Sequence, residues 1–262
     1  MEEEYIDFIS RIKLKLGIDL NLYKEAQMKR RITTLRDKRG FSDFSTYYNA
    51  LNTEDMFLKE FIDRLTINVS EFYRNPKRWN ILQKKILPLL LKQNNQLKIW
   101  SAACSTGEEP YSLAIMLEEH FPQAAVQILA TDIDENVLNK ARRGIYREQA
   151  LKELTPALKK KYFSKQDDFY TIDDRLKKRI TFKGHNLLAD NYPSNIDLIV
   201  CRNVLIYFTD EAKALIYQNF SKVLKENGVL FVGSTEQIFS PIKYNLSLIE
   251  TFFYQKYKRL SK

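Results

Sequence analysis

The sequence has few cysteines, histidines and glycines, and it has no long apolar run. Its two cysteines, Cys104 and Cys201, lack metal-ligand spacing, and we expect reduced thiols. With only two histidines, His120 and His185, we expect no metal site. No apolar run approaches the ~20 residues needed to cross a bilayer, and the acidic start MEEEYIDF is unlike the basic start of a signal peptide. The sequence therefore predicts a cytoplasmic protein that is not inserted in a membrane.

Basic residues outnumber acidic residues in this chain. The 42 lysines and arginines and the 33 aspartates and glutamates give a net charge of +9. This charge predicts an anionic partner, which could be a nucleic acid, an anionic membrane or an acidic protein surface, and composition does not choose among them. A hydrophobic content of 44% and an aromatic content of 13% over 262 residues predict a folded protein of one or two domains.

Helical periodicity runs through positions 1–66. A helix predicted over 22–38 places Met28, Ile32 and Leu35 on its apolar face. Between positions 24 and 39, seven basic residues and two acidic ones give a local net charge of +5. Either a solvated helix face or an electrostatic docking face for an acidic partner explains this concentration. The candidate docking residues are Lys24, Arg30, Arg31 and Lys38.

Aromatic and polar side chains alternate in the segment 66–79. Asn68, Ser70 and Arg74 are interleaved with Phe72 and Tyr73, and the Asn-Pro pair that follows predicts a turn before the next helix. A linker of this kind between two domains is a favoured place for a ligand lid. Ordinary packing of the linker explains the pattern equally well.

A strand, a tight turn and a helix are predicted over 96–117. The apolar run around Ile99 and Trp100 has the length of a buried parallel strand. Small residues up to Gly107 let the backbone approach a ligand, and Glu108 and Glu109 open the helix at its positive end. These acids would repel a phosphate and favour a cationic ligand. A single glycine is far short of a dinucleotide-binding motif, and an ordinary strand-to-helix turn is the alternative.

A second strand is predicted over 125–130, and Asp132 follows it closely. An acid at this place can accept hydrogen bonds from both hydroxyls of a ribose. The acidic turn and Asp132 together strengthen the prediction of a ligand site at this edge of the sheet.

Strands and helices alternate in the rest of the chain. Residues 169–172 and 179–182 resemble two short strands of an inserted subdomain, either a hairpin or a three-stranded piece. Further strands are predicted over 196–201 and 229–232, with 252–257 as an antiparallel partner at the sheet edge. The pattern predicts an α/β protein with a seven-stranded Rossmann-like class I methyltransferase sheet, an N-terminal all-α helical domain and a small inserted β subdomain.

Five sequence blocks carry a resemblance to a known family. They are NVSEFYR at 68–74, WSAACSTGEEPYS at 100–112, TDID at 131–134, NLL at 186–188 and CRNVLIYF at 201–208. In this order they resemble the chemotaxis receptor glutamate O-methyltransferases, the CheR family, along nearly the whole chain. The resemblance implies S-adenosylmethionine as methyl donor and S-adenosylhomocysteine as product. It also implies that side-chain glutamates on the cytoplasmic helices of methyl-accepting chemotaxis receptors become methyl esters for sensory adaptation.

The resemblance further implies roles for residues of the linker and the acidic turn. Asn68, Ser70 and Arg74 would reach over the cofactor from the linker. The family usually has threonine at the position of Ser70, and the hydroxyl group is retained here. Glu109, or its neighbour Glu108, would hold the amino-acid portion of the cofactor.

Other positions that match the family motifs would complete the site. Asp132 would bind the ribose hydroxyls, Asn186 and Leu187 would frame the adenine, and Arg202 and Asn203 would line the sulfonium side. Tyr207 and Arg74 are expected beside the transferred methyl group and are the two catalytic candidates. Methyl transfer to an ionised carboxylate needs alignment rather than a general base, so the lack of a Ser/His/Asp or Cys/His constellation is expected.

The resemblance implies that three regions of the chain have different roles. We expect a helical substrate-docking domain at 1–66, a linker and lid at 67–90, and a methyltransferase domain at 91–262 with the β subdomain at about 160–185. Family members that dock a receptor tail peptide use a glycine-rich loop, and 166–182 contains no glycine, which argues against docking by β-augmentation. We expect a monomer that is recruited to receptor arrays and binds no nucleic acid.

Two alternative functions can be distinguished from glutamate methylation. Amino-base methyltransferases of nucleic acids usually carry an Asn/Asp-Pro-Pro-aromatic motif at the fourth strand, where this chain has RNVL at 202–205. A non-enzymatic module that senses the cofactor is disfavoured by candidate ligands at every cofactor position. Methyl transfer to receptor helices separates these alternatives.

Overall fold

The computed structural model of the protein describes residues 2–66, 70–93 and 95–257. Four α-helices fill the first of these ranges: α1 (Glu2–Leu16), α2 (Glu25–Lys38), α3 (Phe44–Thr53) and α4 (Asp55–Leu65). Phe8 of α1, Tyr47 of α3 and Phe61 of α4 are almost completely buried, with ring centroids 5.9–6.3 Å apart. Aromatic pairs at such distances bury a large apolar area, and they form the core of the N-terminal helices.

Helix α2 has the two faces that its sequence predicts. Met28, Ile32 and Leu35 are buried in the core of the N-terminal helices. Arg30 and Lys38 are exposed, and Arg31 is half-buried. The apolar stripe therefore packs inward and the basic residues remain accessible.

Strands and further helices make up the rest of the described chain. The strands are β1 (Gln96–Ala102), β2 (Ala125–Asp132), β3 (Ile145–Arg147), β4 (Phe163–Gln166), β5 (Phe169–Ile172), β6 (Ile180–Gly184), β7 (Ile196–Cys201), β8 (Leu224–Val232), β9 (Leu246–Glu250) and β10 (Phe253–Lys256). The α-helices are α5 (Pro76–Ile81), α6 (Leu87–Gln93), α7 (Glu108–His120), α8 (Glu135–Arg143), α9 (Pro156–Tyr162), α10 (Asp174–Lys177) and α11 (Asp210–Val223). A π-helical turn (Leu82–Ile86) joins α5 to α6.

Seven strands form one mixed sheet in the order β6-β2-β1-β7-β8-β10-β9. The first five are parallel to one another, and β10 runs antiparallel to both β8 and β9. All six residues of β7 are buried, as expected of a central parallel strand with both faces covered. The predicted α/β fold with a seven-stranded sheet and N-terminal helices is confirmed.

Two details of the sheet differ from the sequence prediction. The strand predicted around 179–182 does not belong to the small sheet, because β6 pairs in parallel with β2 in the large one. The small sheet instead consists of β3, β5 and β4 in antiparallel order. The strand β10 is antiparallel as predicted, but it lies between β8 and β9 and is not at the edge. Alternating side chains predict a strand and do not identify its partner.

Backbone hydrogen bonds join the N-terminal helices to the segment after β7. Tyr23 and Phe208 form an isolated antiparallel bridge, and their ring centroids are 4.8 Å apart. Thr209 donates its backbone N–H to the Leu22 carbonyl at 3.0 Å, and Lys24 donates to the Tyr207 carbonyl at 2.9 Å. The start of α2, the helix with the basic face, is therefore hydrogen-bonded directly to the segment that carries Tyr207.

Gly144 ends α8 in the left-handed region, at φ 65°, where the chain enters the small sheet. A Cβ atom there would lie 2.5 Å from Cγ2 of the buried Ile172, whereas a Cβ at Gly40, with φ 79°, would meet nothing within 4 Å. We expect Gly144→Ala to lower the free energy of unfolding by roughly 2–5 kcal/mol, because steric overlap adds to left-handed strain. Gly40→Ala should cost only about 1–2 kcal/mol of strain.

Urea denaturation of the two variants measures this difference. Equal destabilisation would contradict the close packing of α8 against the small sheet.

Candidate active site

A pocket lies at the carboxyl ends of four neighbouring strands, where the N-terminal helices cover the sheet. The turn after β1, the ends of β2 and β6, and the segment after β7 all contribute to its wall. Open α/β sheets bind their ligands at this edge. The predicted site residues that line the pocket are Ser70, Arg74, Glu109, Asp132, Asn186, Leu187, Arg202, Asn203 and Tyr207. Asn68 lies outside the described residues.

The turn after β1 bends sharply through left-handed backbone conformations. Ala103 has φ 62°, Ser105 has φ 49° and Gly107 has φ 94°. A Cβ atom at Gly107 would lie 2.9 Å from Cβ of Ala141, so a glycine is needed for α7 and α8 to pack together. The Cys104 backbone N–H donates to the Thr131 carbonyl at 2.8 Å and ties this turn to β2.

Asp132 ends β2 with its carboxylate turned toward the acidic turn. It accepts the Ser105 backbone N–H at 2.8 Å and the Asp134 backbone N–H at 3.1 Å. Burial raises the pKa of Asp132 to about 6, and the backbone N–H groups oppose that shift. A ligand that donates hydrogen bonds to this carboxylate would relieve its burial.

Glu109 and Arg202 face each other across the inner end of the pocket. The guanidinium of Arg202 lies 3.7 Å from the Glu109 carboxylate, which also accepts the Ser101 hydroxyl at 2.8 Å. Burial raises the pKa of Glu109 to about 7, although Arg202 pulls it down. Glu108 is buried, accepts the Thr106 hydroxyl at 2.7 Å and is absent from the pocket lining. Of the two acids, Glu109 is therefore the one in position to meet a ligand.

Arg202 is held by the linker and by aromatic rings. It donates to the Arg74 carbonyl at 2.7 Å, and its guanidinium carbon lies 5.6 Å from the Trp79 ring and 4.8 Å from the Phe231 ring. Its Nε has no hydrogen-bond partner in the described part of the chain. Arg202 thus has one buried N–H donor that no described group accepts.

Tyr207 is a half-buried residue of the pocket wall that lies next to α2. Burial raises the pKa of its hydroxyl, and the nearby charges of Arg31 and Arg74 lower it. The guanidinium carbon of Arg31 lies 5.7 Å from the Tyr207 ring centroid. Arg31 also donates to the Leu65 carbonyl at 2.9 Å, at the end of α4. Arg31 therefore connects α2 with the end of α4 and with Tyr207.

A second groove runs along α2 and is lined mostly by basic and polar side chains. Its lining residues are Gln27, Arg30, Arg31, Thr34, Leu35, Lys38 and Arg64. Three of the predicted docking residues thus share one surface. Lys24 is absent from that lining, and its backbone N–H bonds to Tyr207 as described above.

Several residues of the two surfaces carried no signal in the sequence. Ile18 and Tyr23 of the connection between α1 and α2, and Ile62 and Leu65 of α4, form part of the pocket wall. Arg64 joins the basic groove from α4. Only the contact between the helices and the sheet edge brings these residues to the site, and helical spacing cannot reveal such a contact.

The pocket wall after β6 also contains a histidine that the sequence did not mark as a ligand-site residue. His185 is 9% exposed, and neither of its ring nitrogens has a hydrogen-bond partner among the residues described. Next to it, Asn186 uses its side-chain amide to bond the Gly17 carbonyl at 3.0 Å and accepts the Leu188 N–H at 2.9 Å. The Asn186 side chain therefore anchors this loop to the end of α1.

Two family descriptions match the chain and cover nearly all of it. "CheR methyltransferase, SAM binding domain" matches residues 68–252, and "CheR methyltransferase, all-alpha domain" matches residues 3–66. The chain belongs to the CheR methyltransferase family. The resemblance carried by the five sequence blocks is thereby confirmed.

Relatives of similar length share this assignment. The chain is 45% identical to the chemotaxis protein methyltransferase of Listeria innocua, over 98% of each chain. It is 38% identical to that of Borreliella burgdorferi, over 90% of this chain and 89% of the relative. It is 34% identical to that of Escherichia coli, over 89% of this chain and 84% of the relative. The CheR-family chain is a methyltransferase of chemotaxis that uses S-adenosylmethionine.

The pocket suits this cofactor chemically. S-Adenosylmethionine supplies an electrophilic methyl group on a positively charged sulfonium. Glu109, whose side chain is 13% exposed, and the buried Asp132 have raised pKa values, and a cationic ligand with ribose hydroxyls would favour their ionised forms. We propose that Asp132 holds the ribose and that Glu109 holds the ammonium group of the cofactor. Within the described ranges, no helix is long and apolar enough to span a bilayer, and no group of three metal-ligating side chains occurs.

We expect cofactor affinity to fall with pH below neutrality. Binding a cation requires ionised Glu109, whose pKa is about 7 in the free protein, so a proton must leave on binding at lower pH. Calorimetry should show roughly tenfold weaker binding at pH 6 than at pH 7.5, with net proton release. Glu109→Gln should bind weakly at both pH values, with most of the dependence lost. Proton uptake on binding would contradict the assignment.

Proposed function

We propose that this enzyme transfers the methyl group of S-adenosylmethionine to side-chain glutamates of methyl-accepting chemotaxis receptors. The products would be glutamate methyl esters that adjust receptor signalling during sensory adaptation. The names of the relatives support an activity in chemotaxis, and the basic groove supports an acidic, helical substrate. The acceptors would lie on the cytoplasmic helices of the receptors.

The position of Arg31 is the observation that carries this proposal. Arg31 lines the basic groove, and its guanidinium also contacts the ring of Tyr207 in the pocket wall. A helix with acidic side chains that binds in the groove would present one carboxylate to Tyr207 while others meet Arg30 and Lys38. Complementary charges guide encounter and fix the register of such a complex.

The chemistry asks the protein for alignment rather than for proton transfer. A glutamate is ionised near pH 7 and is already a nucleophile. We propose that Arg74 orients this carboxylate by a charge-assisted hydrogen bond and that the Tyr207 ring stands beside the sulfonium. Holding two reactants in line is worth about 7–11 kcal/mol, which is much of the expected acceleration.

The proposed roles divide along the chain. Residues 1–66 would dock the substrate, 67–90 would act as linker and lid with contacts from Asn68 and Ser70, and 91–262 would bind the cofactor. Asn186 and Leu187 would frame the adenine, and Arg202 and Asn203 would line the sulfonium side. We propose a cytoplasmic monomer that docks on receptor arrays through the basic groove and binds no nucleic acid.

Labelled-methyl transfer to purified receptor cytoplasmic helices tests the proposed reaction. We expect label in base-labile esters that map to glutamates. Label in RNA, or in base-stable adducts, would contradict glutamate esterification.

Removing the proposed catalytic contacts should slow turnover more than it weakens cofactor binding. For Tyr207→Phe we expect a decrease in kcat of about 10-fold or more, and for Arg74→Ala about 100-fold, because alignment is lost. Calorimetry should show that the Kd for S-adenosylmethionine changes far less. Tyr48→Phe on α3 is the matched control for loss of a tyrosine hydroxyl. Unchanged turnover in both site variants would remove these roles.

Reversing charge in the basic groove should impair docking alone. We expect Arg30→Glu with Lys38→Glu to raise KM for the receptor by roughly tenfold or more, since complementary charge is replaced by repulsion. The effect should shrink at high salt. Lys84→Glu with Lys92→Glu changes net charge equally at two exposed lysines outside the groove and should leave KM unchanged. Equal effects of the two pairs would show that only net charge matters.

A further inference from the structure

Glu236 is a buried acid in the segment that follows β8, and the sequence patterns did not single it out. Only 5% of its surface is exposed. Its carboxylate accepts three backbone N–H groups, each at 2.7 Å. Asn203 and Gly233 bond to Oε2, and Leu205 bonds to Oε1. Burying a charge is costly unless it is matched in this way, so the three donors hold the carboxylate in its buried position.

Two of the three donors belong to the segment that forms one wall of the cofactor pocket. That segment, 202–207, carries Arg202, Asn203 and Tyr207, all of which line the pocket. Asn203 adopts the left-handed region at φ 62°, so this wall bends at the residue bonded to Glu236. The Glu236 carboxylate therefore accepts a hydrogen bond from the residue at which the pocket wall bends.

Gly233 has no side chain, which allows the Glu236 carboxylate to lie close to the backbone of Gly233 and Asn203. A Cβ atom at this position would lie 2.3 Å from Oε2 of Glu236 and 2.8 Å from the backbone nitrogen of Asn203. Any larger residue would push the acid away from the wall. The glycine, the acid and the wall thus form one close-packed unit.

The charge of Glu236 also acts on the pocket. Burial raises the pKa of Glu236 itself, and the backbone N–H groups that it accepts favour the ionised form. Burial is the main reason for the raised pKa values of Glu109 and Tyr207, and the negative charge of Glu236 adds to both. Its field therefore reaches two sides of the pocket.

We propose that Glu236 is a positioning residue for the methyl-transfer site. Its hydrogen bonds hold the wall that carries Arg202 and Tyr207, and its charge strengthens binding of a sulfonium cation relative to a neutral thioether, compared with an uncharged side chain at this position. S-Adenosylmethionine is a sulfonium, and S-adenosylhomocysteine is the thioether left after transfer, so the charge of Glu236 would raise the affinity for the donor more than the affinity for the product. The inference concerns the cofactor alone and does not depend on receptor glutamates as acceptors.

Glu236→Gln separates this role from a merely structural one. The substitution keeps the size of the side chain, removes its charge and places an amide donor opposite backbone N–H groups. Titration calorimetry with both ligands should show the ratio of the S-adenosylmethionine and S-adenosylhomocysteine affinities fall by roughly fivefold or more. Glu211→Gln, at an exposed acid of α11, is the matched control and should leave the ratio unchanged. Equal weakening of the binding of both ligands by Glu236→Gln would overturn this contribution of the charge.

Hydrogen exchange in the ligand-free protein tests the positioning part. We expect the amides of Asn203 and Leu205 to exchange faster in Glu236→Gln, and unchanged exchange there would overturn it. Glu236→Asp keeps the charge and shortens the reach, so it should preserve the affinity ratio while exchange at the same two amides rises. Thermal unfolding of each variant confirms a folded protein, and Glu236→Asp decides the question if Glu236→Gln does not fold.

Discussion

Burial of negative charge at the carboxyl edge of the sheet is the constraint on which the rest of the site depends. Asp132, Glu109 and Glu236 are largely removed from water. Backbone N–H groups satisfy Asp132 and Glu236, whereas Glu109 has Ser101 and, at 3.7 Å, the guanidinium of Arg202. Such a pocket holds unfavourable charge until a cation enters it. We therefore expect a cationic cofactor that meets these acids to stabilise the folded protein.

The N-terminal region contributes both to the cofactor pocket and to the basic groove. The connection between α1 and α2 lines the pocket with Ile18 and Tyr23, and α2 carries the basic groove. Backbone bonds from Lys24 to Tyr207 and from Thr209 to Leu22 fix one surface relative to the other. Because these bonds join backbone atoms, they link α2 to the pocket wall without depending on a flexible side chain. An acceptor helix bound on α2 would therefore keep a fixed position relative to the pocket.

Local patterns in the sequence predicted much of the fold and of the site. The strand, turn and helix around Gly107, the acid Asp132 at the end of β2, and the two faces of α2 each follow from residues close together in the chain. The membership of β6 in the large sheet and the place of β10 between β8 and β9 do not, because strand pairing joins distant segments. Glu236 escaped notice for the same reason: two of its donors lie about thirty positions away.

In the proposed reaction, one bound helix places a glutamate beside Tyr207 while its neighbouring acids occupy the basic groove. A structure of the enzyme with S-adenosylhomocysteine and a receptor helix tests this claim most directly. We predict that one glutamate carboxylate of the helix contacts Tyr207 and Arg74, and that other acids of the same helix contact Arg30 and Lys38. A helix bound away from α2, with its glutamates remote from Tyr207, would contradict the claim.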